Sequence, residues 1–226
     1  MEIIELKHIA KEYRSDAVVT PALWDIDLKI EKGEFIAVMG TSGSGKTTLL
    51  NIIGCMDVPT SGTYLFDGID LSHEKERCLS SIRGKRIAFV FQHFALIDDY
   101  TVFENVGVPL LKQAMSKAER KKKVTSALKT VGIAGLSGKK PIHISGGQKQ
   151  RVAIARAIAC GAEVLLADEP TGALDSKTGK EIMEIFSDLN AAGKTVILIT
   201  HDRQIASYAK RLITIQDGRI LNDEQI

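Results

Sequence analysis

The stretch GTSGSGKT, Gly40 to Thr47, constrains this chain more than any other. It fits G-x-x-x-x-G-K-[ST] at every position, with the almost wholly apolar run EFIAVM before it and the helix-forming run TTLLNIIG after it. A run like EFIAVM suits a strand covered on both faces, as in a parallel sheet. Gly40, Gly43 and Gly45 let the backbone curl until successive amides point inward at an anion. The helix that starts there adds its positive end. The chain is therefore expected to contain a strand-loop-helix unit that holds a nucleotide's phosphates. Lys46 would reach the β- and γ-phosphates, the Thr47 hydroxyl would ligate Mg²⁺, and Thr41, Ser42, Ser44 and Thr48 would line the loop.

Such a loop needs an acidic partner for the metal, and VLLADE supplies one. Asp168 ends an apolar strand, so its carboxylate is expected at the carboxyl edge of the sheet, where ligands of such sheets bind. Glu169 follows at once. An Asp for the metal beside a Glu for water is the pairing that nucleotide hydrolysis wants; as a bland alternative, Glu169 is a surface carboxylate beside Pro170.

The rest of the chain reads as strand and helix around this unit. Ile26, Leu28 and Ile30 alternate with polar residues before the turn at Glu31-Lys32-Gly33, and TYLF meets the turn signal Asp67-Gly68; both read as short strands. Ser116 and Glu119 form a capping box before a basic helix with the stripe Val124, Ala127, Leu128, Val131, whose ERKKKV run reads as a solvated face. Ile182, Ile185, Phe186 and Leu189 step at helical spacing toward Gly193 as a C-terminal cap, TVILIT is a further buried strand, and Asp217-Gly218 turns a hairpin. The expected fold is α/β, a phosphate-loop NTPase with a parallel sheet core, an antiparallel β subdomain and an inserted α-helical subdomain at about residues 97–159 of a single domain, 1–226.

Composition excludes more than it proposes. The 226 residues carry 30 basic and 28 acidic side chains, a balance too even to argue for nucleic acid through charge, and no nucleic-acid partner is expected. Cys55, Cys78 and Cys160 are far apart with no C-x-x-C, which fits reduced thiols in a reducing compartment. No run approaches the roughly 20 apolar residues of a membrane span, so the chain is expected on the cytoplasmic side.

One stretch does not fit a plain nucleotide-binding domain. HISGGQKQR, His143 to Arg151, has a Ser, two Gly and a Gln ahead of a helical run but no lysine inside the loop. Ser145 and Gln148 have capping-box spacing for the helix QKQRVAIARAIA, whose Val152, Ala155 and Ala159 would face the core. A box alone does not explain Gly146 and Gly147, which cost about 1 kcal/mol each against Ala in a helix. Glycine amides at an exposed helix start also make an anion site.

ISGGQ, DEPTGALD and ITHD, taken with the phosphate loop, resemble the ATP-binding cassette family over essentially the whole chain. The family usually has Leu where this chain has Ile144, a small apolar exchange. The resemblance implies an ATP- and Mg²⁺-dependent hydrolase, the ATPase subunit of a transporter, peripheral on the cytoplasmic face of the membrane. Its partners would be an integral membrane permease and a second copy of itself. It implies that Tyr13 stacks on adenine, or is a plain strand-end Tyr. Gln92 would contact Mg²⁺ and water and sense the membrane partner, which would dock near HFALIDDYTVFENV; otherwise it is a loop glutamine. Asp168 would hold Mg²⁺ directly or through water, and His201 would touch the γ-phosphate. It implies further that Ser145, Gly146, Gly147 and Gln148 face the ATP of the second copy, head to tail. Asp175 would link the two halves, although it or Ser176 could also cap a helix. NIIGCMDVPTSGTYLFDG and DEPTGALDSKTG look like the subfamily that exports macrolides and peptides, releases lipoproteins or confers peptide-antibiotic resistance, with a lean to the last. A mechanotransmitting ATPase that signals to a wall hydrolase stays open as an alternative, and a soluble cassette ATPase fits less well.

Overall fold

The computed structural model describes residues 1–15 and 18–226. Among these described residues, ten strands form two sheets. The larger has the order β10-β9-β3-β8-β7-β6, in which β3 (Phe35–Met39), β6 (Ile87–Phe91), β7 (Val164–Asp168), β8 (Thr195–Ile199) and β9 (Arg211–Gln216) run parallel and β10 (Arg219–Gln225) returns antiparallel after the Asp217-Gly218 turn. The smaller is antiparallel, β2-β1-β4-β5, built from β1 (Glu2–Ser15), β2 (Val18–Glu31), β4 (Ser61–Phe66) and β5 (Ile69–Asp70).

The apolar runs of the central strands are apolar because both faces are covered. Side chains alternate across a strand, and here each face meets its own core. Phe35, Ala37, Leu165, Ala167, Val196 and Leu198 pack on one side with the helices α3 (Val102–Gly107), α4 (Lys117–Thr130), α5 (Gly146–Cys160) and α6 (Ser176–Ala191). Ile36, Val38, Val164, Leu166, Ile197 and Ile199 pack on the other with α1 (Lys46–Ile53), α2 (Glu76–Arg83) and the inner face of the antiparallel sheet. Tyr64 is wholly buried there, its hydroxyl donating to Ile53 O at 2.6 Å at the end of α1.

Several helix ends follow the capping rules. Ser116 and Glu119 exchange side-chain bonds with each other's backbone at the start of α4, as their spacing predicts. Gly193, at φ 90°, follows α6 in the left-handed cap position. The first third differs from expectation. The strands are long: β1 and β2 have 14 residues each and pair through several register shifts. His8 and Asp25 sit in the left-handed region at φ 51°, and such bulges break the period of two that makes a strand legible.

Between β6 and β7, neighbours in the sheet, the chain makes α3, α4, α5 and three short 3₁₀ turns. Because β3, β6, β7 and β8 are parallel, their carboxyl ends share one edge. The register is tight there. Phe91 pairs with Asp168, Asp168 with Ile199, and Val38 also with Ile199. Gln92, Glu169, Thr200 and the start of the glycine loop thus leave the sheet side by side. A four-residue helix, α7 (Arg203–Ala206), follows β8.

Candidate active site

The loop after β3 is clamped before it binds anything. An ideal Cβ on Gly40 would lie 2.1 Å from Ile215 O, so only glycine passes between the loop and β9. Gly45 starts α1 at φ 103°, a left-handed conformation that glycine adopts without steric cost. Gly218 N donates to Ser44 O at 3.0 Å, and Trp24 N donates to Gly218 O at 2.8 Å, tying the loop to the β9–β10 turn and to β2. No side chain caps α1, in contrast to α3, α4, α5 and α6. Its first amides stay open to an anion. Lys46 folds its ammonium over the loop, donating to Gly40 O at 3.0 Å and Thr41 O at 2.7 Å. Thr41, Ser42, Gly43 and Thr47 are exposed, Thr48 is half-buried, and Ser44 is buried.

Across from it, two carboxylates leave β7. Asp168 is half-buried, and burial raises its pKa, with the neighbouring Glu169 raising it further and Lys46 pulling it down. Among the described residues no hydrogen-bond donor reaches its carboxylate; a partly desolvated acid with spare lone pairs beside a second acid suits a divalent cation. Glu169 has φ 47°, and its amide donates to Ile199 O at 3.0 Å. That turn sends its carboxylate across to β8, where Glu169 Oε1 lies 2.8 Å from His201 Nδ1. The hydrogen bond and charge of Glu169 raise the His201 pKa above its ordinary value. The imidazole is otherwise exposed. Gln92 is half-buried and crosses Gly172, where a Cβ would lie 2.7 Å from its Nε2. Phe91, Gln92, His93, Ala95 and Asp168 line one shallow hollow.

Lys46, Asp168, Glu169 and His201 therefore form one electrostatic cluster, with Gln92 at its side. Tyr13 lies on the β1–β2 ribbon, whose Ala22 and Leu23 touch Gly45. Tyr13 is 43% exposed, its hydroxyl donates to Asp57 Oδ2 at 3.2 Å, and the Lys11 ammonium stands 5.1 Å from the ring centre.

The second loop is occupied with itself. Ser145 N donates to Gln148 Oε1 at 3.0 Å and Gln148 N to Ser145 Oγ at 3.3 Å, the complete capping box. Asp175, rather than Ser176, caps α6, accepting from Thr178 N at 3.0 Å and Thr178 Oγ1 at 2.6 Å. Thr178 also corrects the argument from glycine. A Cβ on Gly147 would lie 2.3 Å from Thr178 Cγ2. Close approach within the chain, and not only toward a ligand, forbids a side chain there. Gly146 meets nothing nearer than Leu174 Cδ2 at 3.4 Å, ordinary contact. Sequence reasoning missed Thr178; the D-x-x-T spacing of a helix cap was its only signal.

Comparison with known proteins decides the family. A model described as "ABC transporter" matches residues 23–172. The chain belongs to the ABC transporter family. It is an ATPase cassette of that family, with the α/β core and antiparallel sheet of its solved members. It is 47% identical over 223 residues to YvrO, described as an uncharacterized ABC transporter ATP-binding protein, of Bacillus subtilis (strain 168), covering 99% of this cassette and 97% of that protein. It is 46% identical to the macrolide export ATP-binding/permease protein MacB of Campylobacter fetus, covering 98% of the cassette but only 34% of that protein. The cassette thus spans about a third of the length of such export relatives. Among solved structures, the ATP-binding cassette MJ0796 in a dimeric post-hydrolysis state bound to ADP and Pi superposes with a TM-score of 0.90 at 44% identity, over 98% of each chain.

Proposed function

We propose that this cassette is the ATP-hydrolysing subunit of an exporter that moves or extracts a peptide, lipoprotein or antibiotic. It would work as a head-to-tail pair on the cytoplasmic face of a membrane, attached to permease subunits. The observation that carries the reading is the convergence of Lys46, Asp168, Glu169 and His201 at one sheet edge, with the Glu169–His201 contact of 2.8 Å fixing both side chains. Export relatives named for macrolides and pyoverdine support the cargo class, and the dimeric solved cassette supports the pair. No helix among the described residues is long and apolar enough to cross a membrane, so the permease function falls to another chain or segment.

In this reading, the amides of residues 40–48 and the Lys46 ammonium hold the β- and γ-phosphates, and Tyr13 carries the adenine. Thr47, Asp168 and Gln92 are the groups that would hold Mg²⁺. Bound Mg²⁺ would neutralise charge between the β- and γ-phosphate oxygens. Glu169 orients the attacking water and accepts its proton on a carboxylate oxygen, while His201 and Lys46 stabilise the γ-phosphate. Ser145, Gly146, Gly147, Gln148 and Asp175 complete the site of the opposite copy. Residues of about 97–159 move as a helical unit, and the permease docks beside Gln92 on the segment 93–106.

Lys46→Ala tests the site. Loss of ATP binding, measured calorimetrically on a variant with unchanged circular dichroism, is the expected result. Retained wild-type affinity in the folded variant would remove the glycine loop from the nucleotide site.

A further inference from the structure

Among the described residues, no carboxylate pairs with Arg156. It stands half-buried on α5, and burial alone lowers its pKa, with no carboxylate offsetting the cost. Its guanidinium is spent on two consecutive backbone carbonyls, Nη1 donating to Ala95 O at 2.5 Å and Nη2 to Phe94 O at 3.1 Å. Those two residues are Phe94 at φ 61° and Ala95 at φ 47°. Left-handed backbone is unfavourable for any residue with a Cβ, and a bulky aromatic there is an outlier. Local bonds, Phe94 N to Phe91 O and Ala95 N to His93 O, shape the turn. The Phe94 ring reaches the other end of the same helix, where a Cβ on Gly146 would lie 3.8 Å from Phe94 Cζ.

The turn that begins one residue after Gln92 is thus held to α5 by the Arg156 guanidinium, while its Phe94 ring stands near the helix start beside the Ser145 capping box. A planar guanidinium with donors in a fixed fork suits two adjacent carbonyls in a way that an ammonium does not. We propose that Arg156 is a positioning residue that latches the strained turn after Gln92 to α5, so that Gln92 and the Ser145 loop move as one body. A permease pressing on residues 93–96 would then shift the Ser145 loop directly. The inference rests on the assignment of Gln92 to the nucleotide site.

The test compares Arg156→Met, Arg156→Lys and Arg156→Met with Ala95→Gly, in the full chain with Mg-ATP. Arg156→Met should speed amide exchange in residues 93–96 about tenfold while the sheet and α1 stay protected. It should lower kcat about tenfold, the cost of a misplaced group, with ATP affinity unchanged. Arg156→Lys should lie between. Glycine at position 95 accepts the left-handed turn without a latch, so Ala95→Gly should recover part of kcat in the Arg156→Met background. Three results would overturn the latch: unchanged exchange at 93–96, exchange that rises evenly through α5 and the sheet, or no recovery from Ala95→Gly. If Arg156→Met does not fold, Arg156→Lys carries the same exchange comparison. Gln92→Ala separates the two claims: normal hydrolysis there removes Gln92 from the site, while the exchange data still judge the latch.

Discussion

In the proposed mechanism Glu169 bears the heaviest chemical load. Glu169→Gln keeps the shape and loses the base, so ATP should still bind while turnover falls about 10²–10⁴-fold, the usual worth of a general base. The same substitution removes the carboxylate whose hydrogen bond and charge raise the His201 pKa, so the imidazole should titrate lower, back toward its ordinary value, in a proton NMR titration. The sign for stability follows. A histidine raised by its partner contributes stability fully present below its unfolded pKa of 6.5 and lost as pH rises through the raised folded value. Normal turnover with an unchanged His201 titration would clear Glu169 of both roles. At this scale the contiguous motifs were legible, because Gly40 to Thr48 and Asp168-Glu169 each carry their chemistry within one turn of chain. The contact between Glu169 and His201 was not. It depends on a left-handed φ at Glu169 and on the register of β7 with β8, and neither is written in the local sequence.

Among the elements, the packing of α5 against α6 offers the sharpest steric test. Ala at position 147 would gain helix propensity of about 1 kcal/mol over glycine at most. Its Cβ would stand 2.3 Å from Thr178 Cγ2, and Thr178 cannot swing aside without giving up its 2.6 Å bond to Asp175. Overpacking of this kind costs about 1–3 kcal/mol, so Gly147→Ala should lower the thermal midpoint. Thr178→Ser deletes the methyl and keeps the hydroxyl, and should restore the midpoint in the double variant. A double variant as unstable as Gly147→Ala would mean that Thr178 is not the obstacle. Legibility followed periodicity. EFIAVM, VLLA and TVILIT read as buried strands because two cores cover them, and Ser116-x-x-Glu119 read as a cap because its partners are local. The β1–β2 ribbon did not reveal its length. Ile3 and Ile4 are both buried and Lys7 and His8 both exposed, so the alternation that marks a strand is interrupted at each bulge.

For the whole molecule, the candidate residues fall into two groups within one chain. Lys46, Asp168, Glu169 and His201 face one another, whereas Ser145 and Gln148 bond to each other's backbone and Asp175 caps α6. Among the described residues no hydrogen bond joins the Ser145 loop to the glycine loop. The central claim is that the Ser145 loop serves the nucleotide of a second copy. Ser145→Arg should leave ATP binding to the single chain intact and stop hydrolysis by blocking closure, and Lys46→Ala should stop it by emptying the phosphate loop. The deciding measurement is ATPase activity after mixing these two inactive variants with the membrane partner present and mixed pairs verified by mass. If the loops act across the pair, both lesions fall in one site of each mixed dimer, the other site joins an intact Lys46 to an intact Ser145, and activity returns. If each chain completes its own site, every site keeps one lesion. Mixed dimers that hydrolyse no ATP would contradict the shared site and leave HISGGQKQR as the cap of a helix.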